Sequence, residues 1–425
     1  MARRWGYLTG LFGMWVLAGC GTDASGSMEG WVAAVDTVGD TIVVRTESGS
    51  VWGDTAILVE EMRIGVFEGP DEYMLGRVVS MAVTSDDNLV LMDRHVPALR
   101  VYDASGSHVV TMGREGGGPG EYENPDGGLG VLSDGRIVLR DPGNARFSVY
   151  SGEGEYLFSW PISGGFNTSR KMVVATGDTV LTMVLLEAGL APWDWTYGLA
   201  RYSSDGALVD TLNAPTWDYE RPEVTGQREG SSSSNGVPFA ADDAWTYSPL
   251  GYFVGGVATD YKIDLYRQDA PILRIEREWT PVGVLPEEKE ERERSVTENF
   301  RRQFPGWRWN GPPIPDTKPA FSDIHVGDDG RIWIVVPTEA APVMSVEEAR
   351  EAEEDAGRPV LRYKERLAFD VFEPDGTFLG HVIAPSEVQT YPRPVFKGDY
   401  VWAAVEDDLG VISIVRFKIT LTPAA

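Results

Sequence analysis

Hydrophobic and polar positions along this chain fall into a phrase that keeps returning. An aliphatic run, Leu89–Asp93, is followed after a polar break by Val101 and Tyr102 and then by the turn formed by Asp103, Ala104, Ser105 and Gly106. The inner run comes back at 136–140, 179–183, 252–256, 331–335 and 400–404, and the outer one around Tyr150, Tyr202, Tyr266, Phe372 and Phe417. Short runs rich in β-branched and aromatic residues, bounded by Gly, Asp and Ser, are strands joined by tight turns. Self-similarity at roughly 40 to 50 residues, built from strands, is the signature of a β-propeller. Each half of the phrase occurs six times, so the expected fold is all-β, a single six-bladed β-propeller over residues 31–425.

The register within the repeat is regular. From the inner apolar residue to the outer aromatic is thirteen residues in Leu89 to Tyr102, Ile137 to Tyr150 and Phe253 to Tyr266. The first blade is expected from 77 to 113, with 79–83 as its innermost strand. The last blade, 395–420, offers three strands before the sequence ends, so a strand from the N-terminal side is expected to complete it and close the ring. The candidates are 40–45 and 62–67, and the second is preferred because it directly precedes the first blade. Closure in this way leaves no open inner edge to invite aggregation.

Departures from the repeat carry the functional information. The third blade separates Val180 from Tyr202 by twenty-two residues and inserts 185–197, with Trp193 and Trp195. The fifth stretches the interval to thirty-nine, Trp333 to Phe372, and includes a capping box, Ser345 with Glu348, opening a helix that Gly357 ends. Two insertions lie between blades: 213–243, where Ser231–Ser234 read as disordered, and 280–319, with a helix over 286–304. All four belong to connections that emerge on one side of a propeller, and function on a rigid scaffold concentrates in such loops. The elaborated face is the expected binding face, formed as helical insertions on one side of the ring.

Composition changes this picture in two places. The net charge is −28, and −30 without the first nineteen residues, which hold Arg3 and Arg4 and no acid. A surface this acidic repels phosphate backbones, so nucleic acid is excluded as an expected partner. The single cysteine, Cys20, rules out a disulfide framework and a zinc site of several thiols. Ahead of it lie Arg3 and Arg4, an apolar stretch from Trp5 to Val16 too short to span a membrane comfortably, and then Leu17, Ala18 and Gly19. This segment resembles the lipobox of a bacterial lipoprotein signal peptide. The resemblance implies cleavage after residue 19, acylation of Cys20 and anchoring in a lipid membrane of the bacterial cell envelope, at the outer membrane or cell surface. Residues 20–30, rich in Gly, Ser and Thr, read as a flexible tether.

The linker from Gly113 to Tyr122, the turn of Ser133, Asp134, Gly135 and Arg136, and the run from Asp141 and Asn144 through Arg146 to Tyr150 resemble NHL-type repeats of six-bladed propellers found in bacterial lipoproteins. Some six-bladed propellers of similar architecture are calcium-dependent lactonases or lyases, with acidic and amide ligands at the channel mouth. Asp141, Asn144 and Asp323 are the residues here that such a role implies.

Candidate chemistry is otherwise sparse. Gly113–Gly120 is Gly-rich, but neither a Lys-Ser/Thr pair nor a helix follows, so it reads as a turn between blades and not a phosphate cradle. Arg114 and Tyr122 of that linker lie on the elaborated face, as do Arg94 and His95 after the inner strand of the first blade. His325 alternates with Asp323 on an innermost strand toward the channel, whereas His108 and His381 fall on outermost strands too far apart to share a metal. A serine-nucleophile elbow is absent from the sequence, and no catalytic residue is singled out. Trp193, Trp195, Trp307 and Trp309 could stack a sugar or peptide, although Trp307 is expected to dock its helix on the ring. The reading is a monomeric binding module for an unknown protein, peptide or saccharide. No cofactor is implied, calcium being the one ion that carboxylates leave open. Cys20→Ala is expected to abolish incorporation of an alkyne-palmitate label and to release the protein into the soluble fraction; labelling that persists would contradict the anchor.

Overall fold

The computed structural model describes residues 24–421 except 29, 54, 96, 163–171, 190–194, 268–269 and 408. Antiparallel strand groups follow one another along the chain in a mostly β architecture of propeller type; the first three are separate four-stranded sheets, the fourth is extended by three N-terminal strands, and the fifth and last are joined through Ala56–Ile64, which pairs parallel with Phe378–Ile383. The first sheet holds Val78–Val83, Leu89–Asp93, Ala98–Tyr102 and His108–Met112. The second holds Leu129–Val131, Ile137–Asp141, Arg146–Tyr150 and Tyr156–Pro161. The third is built from Met172–Ala175, Thr179–Glu187, Thr196–Tyr202 and Leu208–Asn213. The fourth follows with Asp243–Ser248, Tyr252–Val257, Lys262–Arg267 and Ala270–Arg277. The fifth comprises Asp323–Val326, Ile332–Val336, Ala368–Phe372 and Phe378–Ile383. The last contains Val395–Lys397, Tyr400–Glu406 and Ile412–Leu421, with Ala56–Ile64 beside them.

Sequence accounts for this order through burial on both faces. In the first sheet every residue of the three inner strands is buried, whereas His108–Met112 alternates between half-buried and exposed until Met112. A strand covered on both faces needs a continuous apolar run, and one at the rim needs alternation. The thirteen-residue interval is the register itself: Leu89 pairs with Tyr102, Ile137 with Tyr150 and Phe253 with Tyr266.

Apolar clusters fill the space between consecutive sheets. Val90 and Leu99 of the first meet Ile137 and Leu139 of the second. Phe147 and Trp160 then meet Val180 and Tyr202, and Leu181 meets Phe253. Val254 and Ile263 face Ile324 and Ile334, while Trp333 and Phe369 face Phe396 and Val401. Trp402 and Ile414 of the last sheet, with Met62 and Ile64, meet Met81 and Leu91 of the first. Each fully buried large side chain contributes about 1.5–3 kcal/mol of transfer free energy, so these stacked cores dominate the stability of the sheets.

The N-terminal strands take two different places. Ala56–Ile64 pairs antiparallel with Ile412–Leu421, from Ile64 opposite Ile414 to Ala56 opposite Leu421. The expected 62–67 strand therefore starts six residues earlier and stops at Ile64, because Gly65 turns there with φ of 131°. The other expected closer, 40–45, falls from residue 41 onward within Thr41–Ser48, which runs parallel to Ala270–Arg277 at the rim of the fourth sheet. Trp31–Val38 pairs with it, and Ala24–Met28, inside the stretch read as a tether, pairs with Trp31–Val38 in turn.

Helix α1 spans Pro286–Gln303 with Pro at its start, two acids in the first turn and two arginines in the last. Helix α2 spans Val346–Ala356, capped by Ser345, whose hydroxyl accepts from the Glu348 N–H, and ended by Gly357 in the left-handed region. Both match the sequence reading. Ser231–Gly236, expected to be disordered, is a strand paired with Glu223–Arg228; backbone pairing and the buried flanks Val224 and Val237 hold a segment whose own side chains are polar. No helix among the described residues is long and apolar enough to cross a membrane.

Candidate functional site

Innermost strands of successive sheets stand side by side and enclose a cavity of about 610 Å3. Its wall is largely aliphatic, as strand-centre residues such as Val83, Val131, Val174 and Val326 dictate, and its polar groups come mainly from the turns that follow these strands. Lys397 is the best-anchored of them. Its ammonium donates to the carbonyls of Thr84 at 2.8 Å and Ser85 at 2.9 Å and to Asp87 Oδ1 at 2.6 Å, tying the last sheet to the first. Arg331 makes the matching tie from the fifth sheet to the last, donating to the Gly398 carbonyl and Asp399 at 3.0 and 2.8 Å. Asp328 lines the same cavity; solvent reaches it, but the surrounding protein wall raises its carboxyl to about 6, against the pull of Lys397 and with some help from Asp329.

Among the described residues, His325 is the one expected site residue that lines this cavity. It is buried, its ring 5.3 Å from that of Phe396, and Asp323 Oδ2 stands 3.7 Å from its Nε2. Asp323 is bound by Arg393, whose Nη2 donates to both carboxylate oxygens at 3.1 Å. These three form a cluster at the start of the fifth and last sheets.

Asp141, Asn144, Tyr122 and Arg114 gather elsewhere, around the linker between the first and second sheets. Asp141 is 0% exposed and accepts from the backbone N–H of Glu123 at 3.1 Å and Asn124 at 2.9 Å and from Asn144 Nδ2 at 2.7 Å. Asn144 also donates to the Gly116 carbonyl at 2.9 Å. Tyr122 is fully buried; its hydroxyl accepts from the Leu99 N–H at 3.0 Å and donates to the Met112 carbonyl at 3.1 Å, and burial pushes its pKa up to about 12. Gly113 explains the glycine in this linker: its φ is 72°, and a Cβ there would stand 2.4 Å from the Tyr122 ring. Arg114 is exposed and pairs with Glu121 at 2.7 Å. In the first sheet Asp93 does what Asp141 does, accepting from the N–H groups of Gly76, Arg77 and His95 at 2.9–3.0 Å. Arg94 and His95 themselves are exposed. A carboxylate already surrounded by N–H donors presents its lone pairs to protons and not to a cation. Among the described residues no group of three or more His, Cys, Asp or Glu is placed to hold a metal ion.

Trp195 is half-buried, while Trp193 and Cys20 lie outside the described residues. Trp307 is buried, stacks on Phe300 at 4.6 Å and donates from Nε1 to the Thr225 carbonyl at 2.8 Å, docking α1 on the Glu223–Gly236 hairpin. Trp309 Nε1 donates to the Pro312 carbonyl at 2.9 Å. These two indoles are spent on the inserted structure itself.

Among the described residues, the expected site residues thus do not converge: His325 lies at the channel with Asp323 beside it, Asp141, Asn144, Tyr122 and Arg114 gather at the first linker, and Arg94, His95 and Trp195 join neither group. Sequence reading missed Asp328, Lys397 and Arg393. Asp328 and Lys397 sit at or beside the turns after innermost strands, a position recognisable from the Ser-Asp turns of the first two blades, whereas Arg393 precedes its strand in a segment with no repeat counterpart.

No family model matches the chain, and no curated protein matches its sequence. Among solved structures it is similar to a Bacteroides fragilis protein described as exported, at 12% identity over 85% of this chain and 95% of that one, with a TM-score of 0.44. A DUF4221 member from Bacteroides vulgatus shares 10% identity over 87% and 99%, with a TM-score of 0.46. Virginiamycin B lyase from Staphylococcus aureus shares 9% over 81% and 95%, with a TM-score of 0.37. At these values the likenesses carry neither fold nor function, and the propeller type rests on the strand order.

Asp141→Ala is expected to lower stability by about 2–4 kcal/mol, because it strands three donors in a buried place. The loss, measured by urea unfolding, is expected to be equal with and without calcium. Calcium that stabilises the native protein but not this variant would place a cation at Asp141.

Proposed function

We propose that this protein is a lipid-anchored binding module of the bacterial cell envelope: a closed six-bladed β-propeller whose ligand meets the face bearing the insertions. The strand Ala56–Ile64 serves as the outermost strand of the sixth blade, a role supported by its pairing with Ile412–Leu421 and by the core that joins the last sheet to the first. Cys20 carries the acyl anchor, and the segment following it sets the distance between membrane and ring.

One observation carries the binding reading. Three insertions that leave the ring at separate places fold onto one another as a single cap. Val224 and Val237 of the first meet Phe300, Phe304, Trp307 and Ile314 of the second in a core of their own. The third joins through Arg294 with Glu353 and through Glu291, which accepts from the Arg362 N–H at 2.9 Å. Lys318, 1% exposed, seals the joint, lying 3.1 Å from both Glu288 and Glu365 and donating to the Thr338 carbonyl at 2.9 Å. Insertions that drift independently do not acquire a shared core or a buried ion pair such as Lys318 with Glu288, whose desolvation is costly unless its partners are in place. A rigid cap of this kind preforms a recognition surface, which keeps the ordering cost of binding low.

A channel enzyme is the second reading, favoured by Asp328, a carboxyl raised to about 6 by the surrounding protein and lining the same cavity as His325. The two separate in a thermal-shift screen of saccharides, peptides and small metabolites, with each hit followed for turnover by mass spectrometry. The binding module predicts saturable stabilisation without a product, retained in His325→Gln and Asp328→Asn. Turnover of a hit, or loss of the shift in either variant, would favour the enzyme.

A further inference from the structure

A cavity of about 590 Å3 lies within the cap, between α1, the end of the Glu223–Gly236 hairpin with the turn after it, and the chain beyond α2. Its charged lining residues are Arg292, Arg302 and Arg358, with no Asp or Glu among them. The chain as a whole has 65 acids against 37 bases, so an all-cationic lining runs against its composition. The helix supplies most of it from one face: Arg292, Ser295, Val296, Asn299 and Arg302 follow the three- and four-residue spacing that brings side chains together on a helix.

Several other charges on the same helix are paired. Arg294 pairs with Glu353, Lys289 with Asp316, Glu288 with Lys318 and Glu291 with Arg362. The cavity arginines are not. Among the described residues none of the three has a carboxylate within 4.0 Å, although the ion pairs of their neighbours are all made inside that limit. Arg292 lies over the Phe239 ring at 5.6 Å, Arg302 makes only 3.4 Å contacts with the Gly357 carbonyl and Asn299 Oδ1, and Arg358 has no ion pair. Three guanidinium groups lining one cavity without a counter-charge leave it positively charged, and an anion entering it can accept in-plane N–H bonds from the forks. Ser295, Asn299 and Asn235 add neutral donors, and Phe239, Val296, Pro238 and Pro359 give the cavity an apolar side.

We propose that this cavity binds a small organic anion, its phosphate, sulfate or carboxylate group held by Arg292, Arg302 and Arg358 and its apolar body lying against Phe239 and Val296. The proposal deepens the binding-module reading and rests on it, since it names the ligand class met by the elaborated face. The three arginines come from a helix and a loop brought together only by the cap, so the site exists only when the insertions have folded onto one another.

Calorimetric titration of the full soluble domain at low ionic strength tests it, with phenyl phosphate, phenylacetate, inorganic phosphate and benzyl alcohol as probes. Phenyl phosphate, phenylacetate or both are expected to bind at one site per chain, the better of the two showing which oxyanion is preferred; inorganic phosphate binds more weakly and benzyl alcohol not at all. Arg292→Gln and Arg358→Gln, both folded by circular dichroism, are each expected to weaken binding by roughly five- to tenfold, as loss of one partly exposed charge-assisted contact does. Arg63→Gln, at the rim of the ring and paired with Glu60, is expected to leave binding unchanged. Absence of saturable binding by both aromatic anions, or equal affinity in the Arg292→Gln and Arg358→Gln variants, overturns the proposal. A neutral saccharide or peptide that binds the cap with an affinity indifferent to these variants would also overturn it, while leaving the binding-module reading in place.

Discussion

Stability here depends on sheets that cannot stand alone. The inner strands of the first are buried and mostly apolar on both faces, as the runs 78–83, 89–93 and 98–102 show. A sheet of this kind is soluble only when another covers each side, so every unit needs two neighbours and a linear stack would leave its terminal faces open. Contact between the last sheet and the first, through Trp402 and Ile414 against Met81 and Leu91, removes both open faces at once. The strand Ala56–Ile64 adds Met62 and Ile64 to that contact, which makes residues from opposite ends of the chain parts of one core.

Between the sheets, polar geometry is fixed by a few buried carboxylates. Asp93 and Asp141 each collect backbone N–H groups from the incoming linker, so the chain crosses from one sheet to the next along a set path. Tyr122 completes the arrangement by bonding two strands of the preceding sheet through one hydroxyl. Such groups read as site residues in a sequence because binding sites also use carboxylates, amides and tyrosines. Full burial and saturated hydrogen bonding distinguish the structural use from the functional one.

The strands and their pairing were legible in the sequence because their physics is local: two-sided burial demands aliphatic runs, and strand register sets the interval from Ile137 to Tyr150. Both helices were legible for the same reason, Ser345 and Gly357 being caps visible in a window of a dozen residues. The N-terminal strand beside the last sheet was placed only approximately, since Ala56–Ile64 carries glutamates at 60 and 61 that weaken its apolar pattern. Less could be seen of the cap. Its strand Ser231–Gly236 has no hydrophobic period, and its arginine-lined cavity joins Asn235, Arg292 and Arg358 across long intervals of sequence. The face of α1 that bears Arg292 and Arg302 gave no separate local signal, because Glu288 lies on it four residues before Arg292.

Closure of the ring by the N-terminal strand is the claim on which the placing of all the insertions depends. Native-state hydrogen exchange resolved to individual amides tests it most directly. The account predicts that the paired amides of residues 58–64 and 412–419 exchange only through global unfolding, with the same free energy and denaturant dependence as those of 401–404 in the same sheet. Exchange of the N-terminal amides by a low-energy local opening, while 401–404 stay protected, would show that the ring holds together without them and would contradict the account.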